Sequence, residues 1–162
     1  MIRPATASDL PRLPQIYAAA RQYMRRSGNP TQWSGGYPAD EVLLQDIREG
    51  RLYVMEQDGT SYACFMLCDG PDPTYAKIYD GAWASDTSYG VIHRVASDGS
   101  VSGVLGRCVA YARQQYGHLR IDTHRDNLPM QRALRAAGFV HRGTIFLANG
   151  DPRLAYDWVG QQ

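Results

Sequence analysis

The residues best equipped for proton chemistry lie in one short segment, Leu119-Arg-Ile-Asp-Thr-His124. In an extended chain Arg120, Asp122 and His124 share one face, and Leu119, Ile121 and Thr123 share the other. Three ionisable groups on one face of an interior strand are costly unless they are paired or reach a solvated cleft. An aspartate near a histidine can hold the imidazole in one tautomer and tune it near neutral pH, which suits proton removal from a nucleophile. His93, in an earlier apolar segment, joins Asp122 and His124 as a candidate base. The same residues also fit a structural ion-pair network with Arg94 or Arg120, and His93 fits a satisfied core position. Two histidines and one aspartate without a ligand spacing do not specify a metal site, and none is expected.

A different chemistry is suggested between Tyr89 and Phe139. Val91, Ile92 and Val95 give the segment Tyr89–Ala96 the β-branched density of a strand. Ser97, Asp98, Gly99, Ser100, Ser102 and Gly103 then interrupt it. From Val101 a helical period takes over through Val104, Leu105, Cys108, Val109 and Ala112. A strand that passes through small residues into a helix N-terminus offers free amides and a favourable dipole to an anion such as phosphate. An ordinary tight strand-to-helix connection has the same composition.

These segments need a scaffold, and the chain is long enough for one. Its 162 residues suit a single domain, 1–162, with a sizeable core. A charged fraction of 20% describes a globular, not a disordered, protein. A net charge of +1 with scattered arginines leaves no footprint for nucleic acid. Cys64, Cys68 and Cys108 sit in apolar patterns and read as buried free thiols in a reducing compartment. With no membrane-length apolar run and no leader-like segment, a cytoplasmic location is expected.

In chain order, Ile2–Thr6 reads as a strand, followed by a helix with Leu10, Leu13, Tyr17, Ala20 and Met24 on its apolar stripe. Ser8 or Asp9 is its expected cap, Pro11 fits a first turn, and Pro14 is awkward inside it. The turn-rich loop 26–38 carries Trp33 and Tyr37, aromatics that are costly to leave unpacked. It is expected to fold back, either lining a pocket or plugging the edge of the core. A second helix runs from Pro38 to Gly50, and strands Arg51–Gln57 and Thr60–Asp69 form a hairpin about Asp58-Gly59. Tyr75–Trp83 reads as a further strand. His118–His124 is a strand, Asp126 or Asn127 caps a last helix ending at Gly138, and Phe139–Leu147 and Pro152–Val159 complete the set. The order predicts an α/β domain with a mixed sheet covered by helices on both faces.

Taken together, GNPTQW, GYP, YGVIHRVAS and LRIDTHRDN, set in this order of elements, resemble the GNAT superfamily of acyl-CoA-dependent N-acetyltransferases, in particular a bacterial subgroup of unassigned substrate. The resemblance spans essentially the whole chain and implies a GNAT-like fold with a mixed, mostly antiparallel sheet. It implies acetyl-CoA as co-substrate, its pyrophosphate on the backbone of the Ser100-Val-Ser-Gly-Val-Leu105 loop followed by Gly106. There Gly103 matches the family pattern outright, and Gly103, Val104, Leu105 and Gly106 would supply amides. Val95 or Ala96 would offer the oxyanion donor and anchor the pantetheine arm. Asn127, with the helix running to Gly138-Phe139, keeps the family spacing and is a good helix cap in any case. The position that often carries the family's acidic tyrosine is Leu134 here. Trp33 and Tyr37 are then expected to line the pocket of a small-molecule amine, with Arg94 placed to meet a carboxylate on it. A monomer or homodimer is expected. A GNAT-fold module that has lost catalysis and only binds an acyl-CoA or another ligand is the alternative. A nucleotide-binding protein of another kind is disfavoured, because neither G-x-G-x-x-G nor G-x-x-x-x-G-K-[ST] occurs.

Overall fold

The computed structural model describes residues 1–161. Among the described residues seven strands form one sheet in the order β1-β2-β3-β4-β5-β7-β6, accompanied by four α-helices. The strands are β1 (Ile2–Pro4), β2 (Leu52–Gln57), β3 (Thr60–Asp69), β4 (Gly90–Ser97), β5 (His118–Thr123), β6 (Val140–Phe146) and β7 (Pro152–Val159). The helices are α1 (Leu13–Arg26), α2 (Asp40–Arg48), α3 (Val104–Arg113) and α4 (Leu128–Ala136). β4 and β5 pair in parallel, whereas β1/β2, β2/β3, β5/β7 and β6/β7 are antiparallel.

The chain divides into two compact units. The first comprises Met1–Leu67 and His93–Val104, and the second takes the rest. In the first unit, Leu13, Ile16, Tyr17 and Ala20 of α1 pack with Leu43, Leu52, Val54, Cys64 and Ala96, and with Trp33 and Ile47 at the margin. Pro14 lies in the first turn of α1, where its missing amide removes no helical bond, so the helix starts later than Leu10. Asp9 does not cap α1. Its carboxylate accepts the Thr6 amide at 2.8 Å and pairs with Arg3. The Asp58-Gly59 hairpin is as expected: Gln57 faces Thr60, and both turn residues have positive φ, as a two-residue turn between twisted strands requires.

In the second unit, Tyr75, Val91, Ile145 and Ala155 form a buried cluster joined by Cys68, Ile78, Trp83, Tyr89 and Leu147. The expected strand over Tyr75–Trp83 does not form. Pro73–Tyr75 is a short 3-10 turn, and only Tyr79 bridges to a strand residue, Thr144. Gly81 explains why the segment departs from a ladder. A Cβ there would lie 1.8 Å from the Arg142 carbonyl oxygen, so the chain passes against β6 where no side chain fits. Gly90 opens β4 for a similar reason, its Cβ position lying 2.5 Å from the Tyr116 ring.

Candidate functional site

β4 carries an unusual backbone conformation within the first unit. Arg94, in mid-strand, has φ +53°, a left-handed conformation that costs free energy for any side chain bearing a Cβ. One left-handed residue within a strand is the geometry of a β-bulge, which bends the strand and re-aims its backbone groups. Two helices hold this residue. The Tyr17 hydroxyl of α1 donates to the Arg94 carbonyl at 2.9 Å. Asp46 of α2 accepts the Arg94 Nε and Nη2 groups on Oδ2 at 3.1 and 2.7 Å. Arg51 donates Nε to the other carboxylate oxygen at 2.9 Å.

The Asp46 side chain is 0% exposed. A buried carboxylate is tolerated only when its charge and lone pairs are met, and two guanidinium groups meet these. Burial works to lower the Arg94 guanidinium, but Tyr37 and Asp46 outweigh it and keep the proton bound. Burial, then the neighbouring Cys64, hold the Tyr17 hydroxyl far above its ordinary range, so it stays a donor.

The aromatic residues of the 26–38 loop join the same region. Trp33 packs edge-on against Tyr17 with ring centroids 5.5 Å apart. Tyr37 is exposed, and its hydroxyl accepts Arg94 Nη1 at 3.2 Å. The loop therefore folds back as its aromatics required. Arg94, expected as a carboxylate binder, directs three of its nitrogens to groups within the chain. Sequence reasoning missed Asp46: on α2 it reads as one more acid among Asp40, Glu41 and Glu49.

Val95 and Ala96 follow Arg94, half-buried and buried respectively, and His93 precedes it, half-buried. Beyond Ser97, Asp98 organises the turn. Its carboxylate accepts the amide and hydroxyl of Ser100 at 2.8 and 2.6 Å and pairs with Arg12 at 2.6 Å. Burial pushes the Asp98 carboxyl up, but Ser100 and Arg12 together bring it below its ordinary value. Gly99 and Gly103 both have positive φ, and α3 starts at Val104, three residues later than the helical period from Val101 suggested. Ser102, Gly103 and Gly106 are exposed, and the first-turn amides of α3 have no helical acceptor. An approaching phosphate would meet backbone amides here rather than bulky side chains.

In the second unit, the face of β5 that carries His118, Arg120 and Asp122 is largely enclosed by the 70–89 segment. The Arg120 guanidinium lies between Tyr89 and Trp83, 3.9 and 4.2 Å from their ring centroids, and donates to the Ser85 carbonyl at 3.0 Å. Asp157, the cross-strand partner of Arg120, accepts Arg142 Nε at 2.7 Å and the Ala84 amide at 2.9 Å. His118 Nε2 stands 3.4 Å from the same carboxylate. Asp122 accepts the hydroxyl of fully buried Tyr75 at 2.7 Å. Burial and the Asp122 charge hold that phenol well above its ordinary range, so it remains a donor.

His124 lies just past the end of β5. Its Nδ1 accepts the Asp126 amide at 3.0 Å, which in the neutral ring places the proton on Nε2. Burial, then Arg153, lower its basicity against the pull of Asp126. In that tautomer His124 presents a donor, not an acceptor, at Nε2. Asn127 is buried and caps α4 by accepting the Met130 amide at 3.1 Å. Leu134, fully buried, belongs to the core. Among the described residues no group of three potential metal ligands is found, and no helix is long and apolar enough to cross a membrane.

No family model matches the chain, and no curated protein matches it in sequence. Solved structures do. A GNAT-family acetyltransferase from Streptococcus agalactiae 2603 is 28% identical with a TM-score of 0.86, the match covering 100% of this chain and 96% of that one. A ribosomal-protein-alanine N-acetyltransferase from Brucella melitensis is 20% identical with a TM-score of 0.61, over 98% and 99% of the two chains. AAC(6')-Ib, solved with ribostamycin and coenzyme A, is 17% identical with a TM-score of 0.65, over 98% and 92%.

Proposed function

We propose that this chain, an N-acetyltransferase of the GNAT fold, works over residues 1–162 as one domain that moves an acetyl group from acetyl-CoA to the amine of a small molecule. The observation that carries the reading is the run from the left-handed Arg94 through Gly99 and Gly103 into α3. It combines a bent strand whose backbone is re-aimed with an amide-rich, small-residue helix start. The bent strand suits an amide-bearing arm, which it would bind as another strand does, and the helix start suits a pyrophosphate. The full-length likeness to the Streptococcus agalactiae acetyltransferase supports the same reading. Coenzyme A in the AAC(6')-Ib complex supports the choice of co-substrate, and ribostamycin there supports a small-molecule acceptor.

Acetyl-CoA supplies an activated carbonyl with a thiolate leaving group. Gly103, Val104, Leu105 and Gly106 hold its phosphates through backbone amides, and Asn127 fixes the start of α4. The amide of Val95 or Ala96 donates to the carbonyl oxygen as negative charge grows on it. His93, beside that backbone, accepts the proton that frees the amine lone pair, and Asp122 is the second candidate for this step. Trp33 and Tyr37 line the acceptor side.

The test is release of CoA thiol across a panel of amines, with His93→Ala, Asp122→Asn and His124→Ala compared. Loss of at least about a hundredfold in kcat for one of the first two assigns the base. Wild-type turnover in all three variants removes the base assignment. A catalytically lapsed acyl-CoA binder is the second reading, favoured by the burial of Leu134 in the core, where no acid can take its place. Thermal stabilisation by acetyl-CoA with no thiol release from any amine would select it.

A further inference from the structure

We infer that Arg94 is a positioning residue, whose side chain and carbonyl are gripped by Asp46 and Tyr17 to hold β4 in its bent conformation. The inference rests on the reading above in one respect, the use of the Val95 and Ala96 backbone by the acyl group. It does not follow from that reading, and it departs from the expectation, drawn from the sequence, that Arg94 meets a carboxylate on the acceptor.

Three observations converge on it. Arginine is a poor residue for φ +53°, since its Cβ disfavours the left-handed region, yet the chain adopts this conformation inside a strand. Such a conformation persists only where surrounding contacts over-determine it. Those contacts are present on both sides of the residue. The Tyr17 hydroxyl fixes the carbonyl, and Asp46 fixes the guanidinium through two nitrogens on one oxygen. Finally, Asp46 is a fully buried carboxylate that would be costly without such partners, and Arg51 secures its second oxygen. The side chain of Arg94 is itself only 13% exposed, and its third nitrogen meets Tyr37. A residue recruited to grasp a ligand carboxylate keeps its planar fork open. This one is closed on its own protein.

Fixing Arg94 fixes the amides that follow it. A backbone donor aimed before the reaction does not have to reorganise as charge develops, and that is how such donors accelerate acyl transfer. The Asp46–Arg94–Tyr17 contacts therefore act on kcat through the backbone. Tyr37, on the remaining nitrogen, links the same residue to the acceptor loop.

Glycine adopts positive φ without the Cβ penalty, so Arg94→Gly and Arg94→Ala separate the two roles. Both remove the guanidinium and expose Asp46 to the same loss. The expected result is that Arg94→Gly keeps a kcat about tenfold above that of Arg94→Ala, with little difference between them in KM for the amine. Asp46→Asn and Tyr17→Phe, which leave residue 94 intact, should lower kcat in the same sense. Equal losses in the glycine and alanine variants, or a loss confined to the amine KM, would overturn the inference and return Arg94 to the acceptor. Amide hydrogen exchange at residues 93–97 provides a readout independent of turnover. Protection should follow the order wild type, Arg94→Gly, Arg94→Ala. If the wild type acetylates no amine but this order holds, the proposed activity fails and the grip stands. If exchange is unchanged in every variant, the grip fails.

Discussion

The two compact units each bury one aspartate completely and spend it differently. Asp46 meets two guanidinium groups, one of them on a residue in a strained backbone conformation. Asp157 meets one guanidinium, a main-chain amide and, more loosely, a histidine. The amide belongs to Ala84, in the long 70–89 segment that holds one 3-10 turn and no strand, and Asp157 helps to pin that segment onto the strands of its own unit. The first carboxylate thus holds strain in a strand, while the second holds a loop that lacks a ladder. A buried charge pair contributes little net stability on average, because desolvation offsets attraction. Its value lies in fixing one conformation, and the two sites fix different kinds.

The largest effect is expected where a loop depends on the carboxylate. Asp157→Ala leaves Arg142 without its buried partner and frees the Ala84 amide, so urea unfolding should show a loss of about 3–5 kcal/mol. Limited proteolysis should then cut within 70–89, where the wild type resists. If cleavage appears elsewhere first, Asp157 does not hold the loop. Gly81→Ala attacks the same segment from its backbone. The new methyl group would overlap the Arg142 carbonyl, and a loss of about 1–3 kcal/mol is expected from the same unfolding measurement.

Tyr17→Phe tests the other side. Removing the hydroxyl leaves the part-buried Arg94 carbonyl short of a donor, a cost of about 1–3 kcal/mol. If the comparison is right, catalysis falls more than this modest destabilisation explains, measured at a temperature where the variant is fully folded. A stability loss alone would make the two buried aspartates equivalent.

Asp9 offers a milder contrast, since its partner Arg3 is partly exposed. The Arg3 side chain first, then the Thr6 amide, hold its carboxyl below the ordinary value of 3.8, against the opposing effect of burial. A carboxyl lowered in the fold adds stability at pH above that ordinary value, and the contribution disappears as pH falls through the lowered one. Wild type should therefore lose more stability than Asp9→Asn between neutral pH and about pH 2, as followed by urea midpoints. Parallel curves would show that the Arg3 pair contributes nothing.

The smallest expected effect concerns the thiols. Burial pushes Cys64 up to about 12 and raises Cys108 as well, so neither should react with iodoacetamide in the folded state at neutral pH. Cys68, half-buried, should be alkylated first.

Local pattern alone determined a good deal. The hairpin of β2 and β3 about Asp58-Gly59, the stripe of α1 and the Asn127 cap depend on neighbours within a few residues, so sequence reports them directly. The family resemblance is likewise carried by short local segments, and the structure bears out the fold it implies. The sheet order and the grips on Arg94 and on the 70–89 segment were decided only in three dimensions. Tyr75–Trp83 reads as a strand because its aromatic and apolar content is right, yet close backbone approach at Gly81 takes it out of the ladder. Asp46 looks like an ordinary surface acid on a helix until α2 is packed and Arg94 arrives from 48 residues away. Asp122 and His124 look like a pair at a spacing of two, but one is held by Tyr75 and the other turns back to the Asp126 amide. Propensity acts over a few residues, whereas burial and charge pairing act through space.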